Sequence, residues 1–237
     1  MTLFDYLELL GGLSMLLFGM SILGDGLNVV SGGKMESLLE RLVSNKFKGV
    51  LLGAGVTAVI QSSSATTVMV VALVNSGVLK LKQAVSIIMG ANIGTTITAW
   101  ILSLSGLRGD SFLIQMLKPS SFSPILAMIG IIILFTAKNE TKKAKSGVFL
   151  GFAVLMFGME TMMRAMEPLQ SSTAFFEVVA LFSNPILGLL LGIGITALIQ
   201  SSSAFTGILQ ALSSTGAITF GTAIPVIMGQ NIGTCIT

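Results

Sequence analysis

The stretch "TAVIQSSSATTVMVV" runs from Thr57 to Val71, and the chain repeats it from Thr196 as "TALIQSSSAFTGILQ". Each copy sets a Gln and three consecutive Ser in the middle of an apolar run. Unpaired polar groups in hydrocarbon or in a dry core are costly, so these eight side chains need a purpose. The surrounding chain sharpens the point. It has 237 residues, of which 53% are hydrophobic and 10% charged, and its mean hydropathy is +0.93. Soluble domains carry about 25% charged residues. So few charges cannot cover a soluble surface of this size, and the composition points to an integral membrane protein in contact with lipid.

The duplication extends beyond the motif. Sliding the chain over itself so that Gln61 falls on Gln200 brings Gly53–Thr98 onto Gly192–Thr237 without a gap, with about half the pairs identical. Met89-Gly90 and Asn92-Ile93-Gly94-Thr95 fall on Met228-Gly229 and Asn231-Ile232-Gly233-Thr234. Phe18-Gly19-Met20 falls on Phe157-Gly158-Met159, and Asn45 on Asn184. A single Ser triplet is most simply a polar turn or a set of helix serines bonded back to their own backbone. Two copies in register within a long repeat carry more weight. The first repeat is residues 1–145 and the second 146–237.

Hydropathy predicts spans at Phe4–Val30, Leu81–Leu104 and Phe122–Ala137. Between them come a short surface helix over Ser31–Lys48 and a lysine-rich loop at Lys138–Lys145. Ser146–Met166 opens the second copy. The QSSS segment, about 49–79, reads either as one tilted helix or as a re-entrant hairpin with QSSS at its tip. A hairpin makes three crossings per repeat, which inverts the second copy. A continuous helix makes four, which keeps the copies parallel. Charge separates the two. The hairpin puts Lys34, Arg41, Lys46, Lys48, Lys80, Lys82, Lys138, Lys142, Lys143 and Lys145 on one face. Arg108, Lys118 and Arg164 fall on the other, accounting for all 13 basic residues. The positive-inside rule favours that asymmetry. The lysine-rich face is then cytoplasmic and the N-terminus outside. The fold expected is an all-α membrane protein of two inverted repeats, each with a transmembrane helix, a re-entrant QSSS hairpin and a broken transmembrane helix. The broken span of the first repeat is placed at about 81–104, with its break at Gly90, Asn92, Gly94 and Thr95.

Hydroxyls, amide oxygens and freed carbonyls make a hard, neutral oxygen cage suited to a small cation such as Na⁺. Helix N-termini at the hairpin tips present N–H groups suited to an oxyanion, and Ser hydroxyls and the Gln amide can donate to it as well. Neither motif contains Lys or Arg. A phosphate would therefore be held by dipoles, hydroxyls and co-bound cations, the cation offsetting its charge at low dielectric. Two tips and two breaks meeting at midplane is the architecture of inverted-repeat secondary transporters.

Other chemistries are disfavoured. "GAGVTA" at Gly53 and "GIGITA" at Gly192 fit a dinucleotide fingerprint but follow no strand, and close helix packing explains them better. The serines lack a nucleophile elbow, and the chain has no histidine, which argues against a serine hydrolase; no enzyme is expected. The single cysteine, Cys235, permits no intrachain disulfide. Asp25 and Glu160 sit near span ends, where interfacial solvation competes with a role in the transport path. The Met and Phe residues read as apolar filling, and the net charge of +3 as an orientation signal rather than a nucleic-acid surface.

"QSSSATT…MGANIGTT" followed by "QSSSAFT…MGQNIGT" resembles the sodium–phosphate cotransporter family, meaning the type II animal cotransporters and their bacterial relatives. The resemblance covers essentially the whole chain. It implies Na⁺-coupled symport of inorganic phosphate by alternating access, in a multi-pass protein of the bacterial plasma membrane. It implies substrate contacts from Gln61, Ser62, Ser63, Ser64, Gln200, Ser201, Ser202 and Ser203. For Na⁺ it implies Gln61, Ser64, Thr66, Thr67, Asn92, Thr95, Gln200, Ser203, Thr206, Asn231 and Thr234. Substrate and cation would be held between two hairpin tips and two broken helices. The large extracellular loop of the animal proteins and the soluble PhoU-type domain of many bacterial members are absent. The chain ends at Thr237, the counterpart of Thr98, whereas the first repeat continues through "AWILSLSG" into another span. That ending gives the expectation of a homodimer with weak or no transport by itself. The alternatives are a non-transporting membrane fragment or subunit and a symporter of the same fold for another oxyanion.

Overall fold

Long runs of Leu, Ile, Val, Met and Ala broken only by single polar residues favour helix, since in lipid every backbone group must be satisfied within its own segment. The computed structural model describes residues 2–31, 45–106, 118–173, 175, 177, 179 and 184–236, and among them there is no strand. The helices are α1 (Leu3–Ser31), α2 (Lys46–Ile60), α3 (Ser63–Asn75), α4 (Leu81–Ser103), α5 (Pro119–Thr136), α6 (Glu140–Ala165), α7 (Pro185–Ile199), α8 (Ser202–Ser213) and α9 (Phe220–Thr234). Short 3₁₀ turns, Leu104–Gly106 and Glu167–Ser171, follow α4 and α6. Three helical stretches, Leu3–Ser31, Leu81–Gly106 and Glu140–Ser171, are long and apolar enough to cross a membrane. The described residues are nearly all helical, and the protein is a membrane protein. The surface helix expected over Ser31–Lys48 falls mostly outside the described residues, as do Arg108 and Thr237.

The chain divides into two units. One combines Gly19–Ile101 with Pro124–Ala153 and contains the first QSSS segment. The other combines Met1–Phe18, Leu102–Ser123 and Val154–Thr237 and contains the second.

In the first of these units α2 and α3 are joined by Gln61 and Ser62 alone. Thr57 Oγ1 donates to Thr66 Oγ1 at 3.0 Å. Nine residues of straight helix would separate those hydroxyls by about 13 Å, so the chain folds back on itself at the motif. Val56, Val70, Leu73, Leu79, Ala84 and Ile87 form the core behind this turn. Helix α4 then packs along α2 with almost no space between backbones. A Cβ on Gly53 would lie 2.0 Å from the Ile87 carbonyl oxygen, and one on Gly90 2.0 Å from that of Val50. In the other unit α7 and α9 repeat this contact. A Cβ on Gly192 would lie 2.1 Å from the Val226 oxygen, and one on Gly229 2.0 Å from the Leu189 oxygen. Phe205, Leu209 and Val226 form the core there. The first glycine of each of "GAGVTA" and "GIGITA" is a packing residue, while Gly55 and Gly194 face open space.

This contact corrects one expectation. Helix α4 runs without interruption from Leu81 to Ser103, and α9 from Phe220 to Thr234. Neither span is broken at its Gly-Asn-Gly segment. Gly90 and Gly94, like Gly229 and Gly233, lie against a neighbouring backbone. They are glycines because a side chain has no room there, and the helix continues through them. A second correction concerns Lys138–Lys145. The turn is confined to Ala137–Asn139, and α6 starts at Glu140. Asn139 Oδ1 accepts from Lys142 N at 2.9 Å, and Lys143 pairs with Glu140 at 2.9 Å. A helix cap and an (i, i+3) ion pair thus convert an apparent loop into the first turns of a helix.

Helices α1 and α6 pack through glycine in both units. In one, Gly12 meets Gly158 and Met162. In the other, Gly151 meets Gly19 and Leu23, and Gly26 meets Ala144 and Val148. Within each unit these pieces run antiparallel. Leu16, Leu155, Met156, Met159 and Met162 are fully buried, which is the filling role expected of methionine. Glu160 makes an (i, i+4) ion pair with Arg164 at 3.8 Å, and Asp25 is exposed.

Candidate substrate and ion site

The two QSSS motifs use the same local rules. Asn45 and Asn184 N-cap the first arms, accepting from Phe47 N at 3.2 Å and Ile186 N at 3.0 Å. Those arms end at Gln61 (φ 58) and Gln200 (φ 59), the positive-φ residues other than glycine among those described. The left-handed conformation crowds any Cβ. A Gln at both places therefore means that the side chain is needed where a glycine would be easier. The following Ser starts the next helix. Ser62 Oγ accepts from Ala65 N at 3.1 Å, and Ser201 Oγ from Ala204 N at 3.2 Å. Each tip is thus a left-handed C-cap followed at once by a Ser N-cap, and the N-termini of α3 and α8 lie at it. A helix N-terminus carries partial positive charge and N–H groups without intrahelical acceptors.

Beyond the turn the copies differ. Gln61 donates through Nε2 to Ala58 O at 2.6 Å, and its Oε1 accepts from Thr98 Oγ1 at 2.7 Å. This ties the first tip to α4. Gln200 is exposed and bonds through Nε2 to Ala197 O at 3.1 Å. The second hairpin is tied from the opposite side. Gln230 on α9 donates through Nε2 to Ser202 O at 2.9 Å and to Thr206 Oγ1 at 2.7 Å.

Several expected ligands already have partners. Thr66, Thr67, Thr95, Thr206 and Thr234 each donate to the carbonyl four residues earlier, at 3.0, 2.9, 3.2, 2.9 and 3.0 Å. That uses the proton and leaves oxygen lone pairs, so they can still face a cation. Thr66 is fully buried, Ser202 is buried, and Ser62, Ser63, Ser64, Ser201, Ser203 and Asn92 are partly buried. Asn231 is exposed. Gln61, Ser62, Thr66 and Thr67 are gathered at the first tip, and Ser201, Ser202 and Thr206 at the second. Asn92 and Thr95 lie on α4 and Asn231 and Thr234 on α9. Sequence reasoning missed Thr98, Thr196 and Gln230. For Gln230 a signal existed: "MGQNIGT" departs from "MGANIGT" at one position, and the departure is polar. Among the described residues there is no group of three or more His, Cys, Asp or Glu that could hold a metal.

The described residues form a duplicated, helical membrane chain with two hairpin tips lined by side-chain oxygens. The profile of the Na⁺/Pi-cotransporter family matches residues 15–165 and 155–237, and the chain belongs to that family. It is 29% identical over 229 residues to a protein of Escherichia coli strain K12 described as "Putative inorganic phosphate export protein YjbB", covering 96% of this chain and 40% of that one. It is 30% identical over 222 residues to "Uncharacterized protein YqeW" of Bacillus subtilis, covering 93% of this chain and 68% of the other. Over 104 residues it is 39% identical to "Sodium-dependent phosphate transport protein 2A" of Rattus norvegicus, covering 43% of this chain and 16% of that protein. The chain thus spans 40% of the length of the bacterial phosphate export relative. No solved structure matches it.

Proposed function

We propose that the chain carries inorganic phosphate across the bacterial plasma membrane, coupled to Na⁺, by alternating access, with substrate and cation held at the two QSSS tips. The observation that carries this is the paired left-handed Gln caps. Each holds a polar side chain in a costly conformation at a helix N-terminus, inside a family of Na⁺/Pi cotransporters. Phosphate is met by the N-terminal turns of α3 and α8 and by the hydroxyls of Ser62, Ser63, Ser64, Ser201, Ser202 and Ser203. Na⁺ is met by lone pairs of the tip residues Gln61, Ser64, Thr66, Thr67, Gln200, Ser203 and Thr206, and by Asn92, Thr95, Asn231 and Thr234 on the accompanying helices.

The α1–α6 glycines support an inverted relation between the repeats. Under the offset that places Gln61 on Gln200, Gly12 becomes Gly151 and Gly19 becomes Gly158. The contacts seen are Gly12 with Gly158 and Gly19 with Gly151. Partners exchange places between the copies, which supports the inverted reading. The copies then point oppositely in the membrane, and each QSSS hairpin is re-entrant. The lysine-rich start of α6 is cytoplasmic and the N-terminus outside.

Proteoliposomes loaded with the purified chain decide the function. An inward Na⁺ gradient should drive uptake of radiolabelled phosphate, and an equal K⁺ gradient should not. Equal uptake under both gradients removes Na⁺ coupling. Sulfate carried in preference to phosphate moves the protein to another oxyanion.

A further inference from the structure

The second repeat contains two buried oxygens without partners. Thr196 Oγ1 and Gln230 Oε1 are shielded from solvent and make no hydrogen bond, on residues 1% and 4% exposed. Both lie on the tightly packed pair α7 and α9. Thr196 abuts Gly233, one turn after Gln230, and the backbone of Gln230 abuts Gly192, one turn before Thr196. The amide orientation of Gln230 follows from its partners. The Ser202 carbonyl can only accept, so the nitrogen must face it, and the oxygen turned the other way can only accept. A buried acceptor with no donor is destabilising.

The first repeat has neither orphan. Thr57, the counterpart of Thr196, donates to Thr66. In the second repeat Phe205 replaces Thr66 and removes that partner. Ala91 stands where the second repeat has Gln230. Two substitutions in one helix packing arrangement therefore create two unmet oxygens beside the first turn of α8.

We propose that Thr196 Oγ1 and Gln230 Oε1 are ligands of a Na⁺ ion bound between α7 and α9, and that the first repeat has no equivalent site. Hard neutral oxygens suit an alkali cation. With no carboxylate to neutralise it, the ion would leave a positive charge in a low-dielectric setting, which favours a bound anion nearby. Cation and phosphate then strengthen each other's binding, by the same factor in both directions. A buried water is the competing occupant, since it too would satisfy both oxygens. The choice of Na⁺ rests on the proposed function, but its binding can be measured without transport.

The test is ²²Na⁺ binding to the purified chain in nanodiscs, with excess K⁺ as competitor, on wild type, Thr196→Val, Gln230→Ala and Thr57→Val. Thermal unfolding of each variant accompanies it. Thr196→Val keeps the shape and removes only an unpartnered hydroxyl, so it should fold normally and bind Na⁺ roughly ten-fold or more weakly. Gln230→Ala should weaken Na⁺ binding as much but also unfold at lower temperature, because it loses the bonds to Ser202 and Thr206, while Thr57→Val should bind like wild type. Adding phosphate should tighten Na⁺ binding in wild type and in Thr57→Val. Wild-type affinity in folded Thr196→Val, or no Na⁺ binding by wild type, overturns the site and leaves water as the occupant. Na⁺ binding that depends on Thr196 without phosphate uptake would sink the transport reading and leave this site standing.

Discussion

The two hairpins share a backbone plan and differ in what holds them. Both begin at an Asn N-cap, turn through a left-handed Gln, restart at a Ser N-cap and pack glycine to backbone against the following helix. In the first, the tip Gln reaches out to Thr98 and a Thr57–Thr66 bond joins the arms. In the second, the helix reaches in through Gln230, Phe205 fills the place of Thr66, and Thr196 is left over. The shared parts are those that backbone geometry demands. The polar ties are free to vary, and in the variable part the first hairpin is internally satisfied while the second has oxygens to offer.

The largest effects should come where the hairpins agree. Gly90→Ala and Gly229→Ala each drive a methyl to within 2.0 Å of a backbone oxygen. Backbone cannot rotate away, so the loss should reach or exceed the roughly 1–3 kcal/mol of ordinary overpacking. Gly55→Ala and Gly194→Ala have nothing within 4 Å and should gain up to about 1 kcal/mol from helix propensity. Thermal unfolding in detergent reads all four. A tolerated Gly229→Ala beside a damaging Gly90→Ala would break the equivalence of the two packings.

Next come the tip glutamines, where the hairpins should differ. Gln61→Ala leaves the buried Thr98 hydroxyl without its acceptor and should cost about 1–3 kcal/mol. Gln200→Ala removes a bond to Ala197 O from an exposed residue and should cost less than about 1 kcal/mol. Chemical denaturation measures the difference, and equal losses would mean that the Gln61–Thr98 tie contributes nothing. If the proposed function holds, phosphate uptake should fall in both variants.

The smallest contrast is between the paired threonines. Thr57→Val breaks a bond between two buried hydroxyls and should cost about 0.5–1.5 kcal/mol. Thr196→Val removes a hydroxyl with no partner and should be neutral or stabilising when Na⁺ is absent. A loss of equal size in both would show that Thr196 is satisfied in solution.

Much of this was legible in the residues. The repeat needed only identity at a constant offset, and the long apolar runs could only be helices in lipid. The turn at QSSS followed from length and charge, because one face collects most of the lysines if the segment folds back. Gly90 and Gly94 were misread as a break because glycine serves two opposite ends. It permits irregular backbone, and it also permits two regular helices to touch. Only the presence of Val50 and Ala54 against those positions distinguishes the cases. The ties of Gln61 to Thr98 and of Gln230 to Ser202 and Thr206 join residues far apart in the chain, and no local pattern marks such pairs.

The sequence by itself determined a membrane-embedded, duplicated helical protein with two polar interruptions at equivalent places, and its motifs were specific enough to point to a family. These properties depend on composition, offset and hydropathy, which are one-dimensional. Tertiary structure decided that the span helices stay continuous, that the motif Gln and first Ser serve as caps, and that Thr196 and Gln230 of the second repeat keep unmatched buried oxygens where Thr57 of the first is paired. Each of those depends on which atoms of a distant helix lie within hydrogen-bond or van der Waals reach. A glycine, a threonine or a glutamine carries no record in the chain of what will stand opposite it.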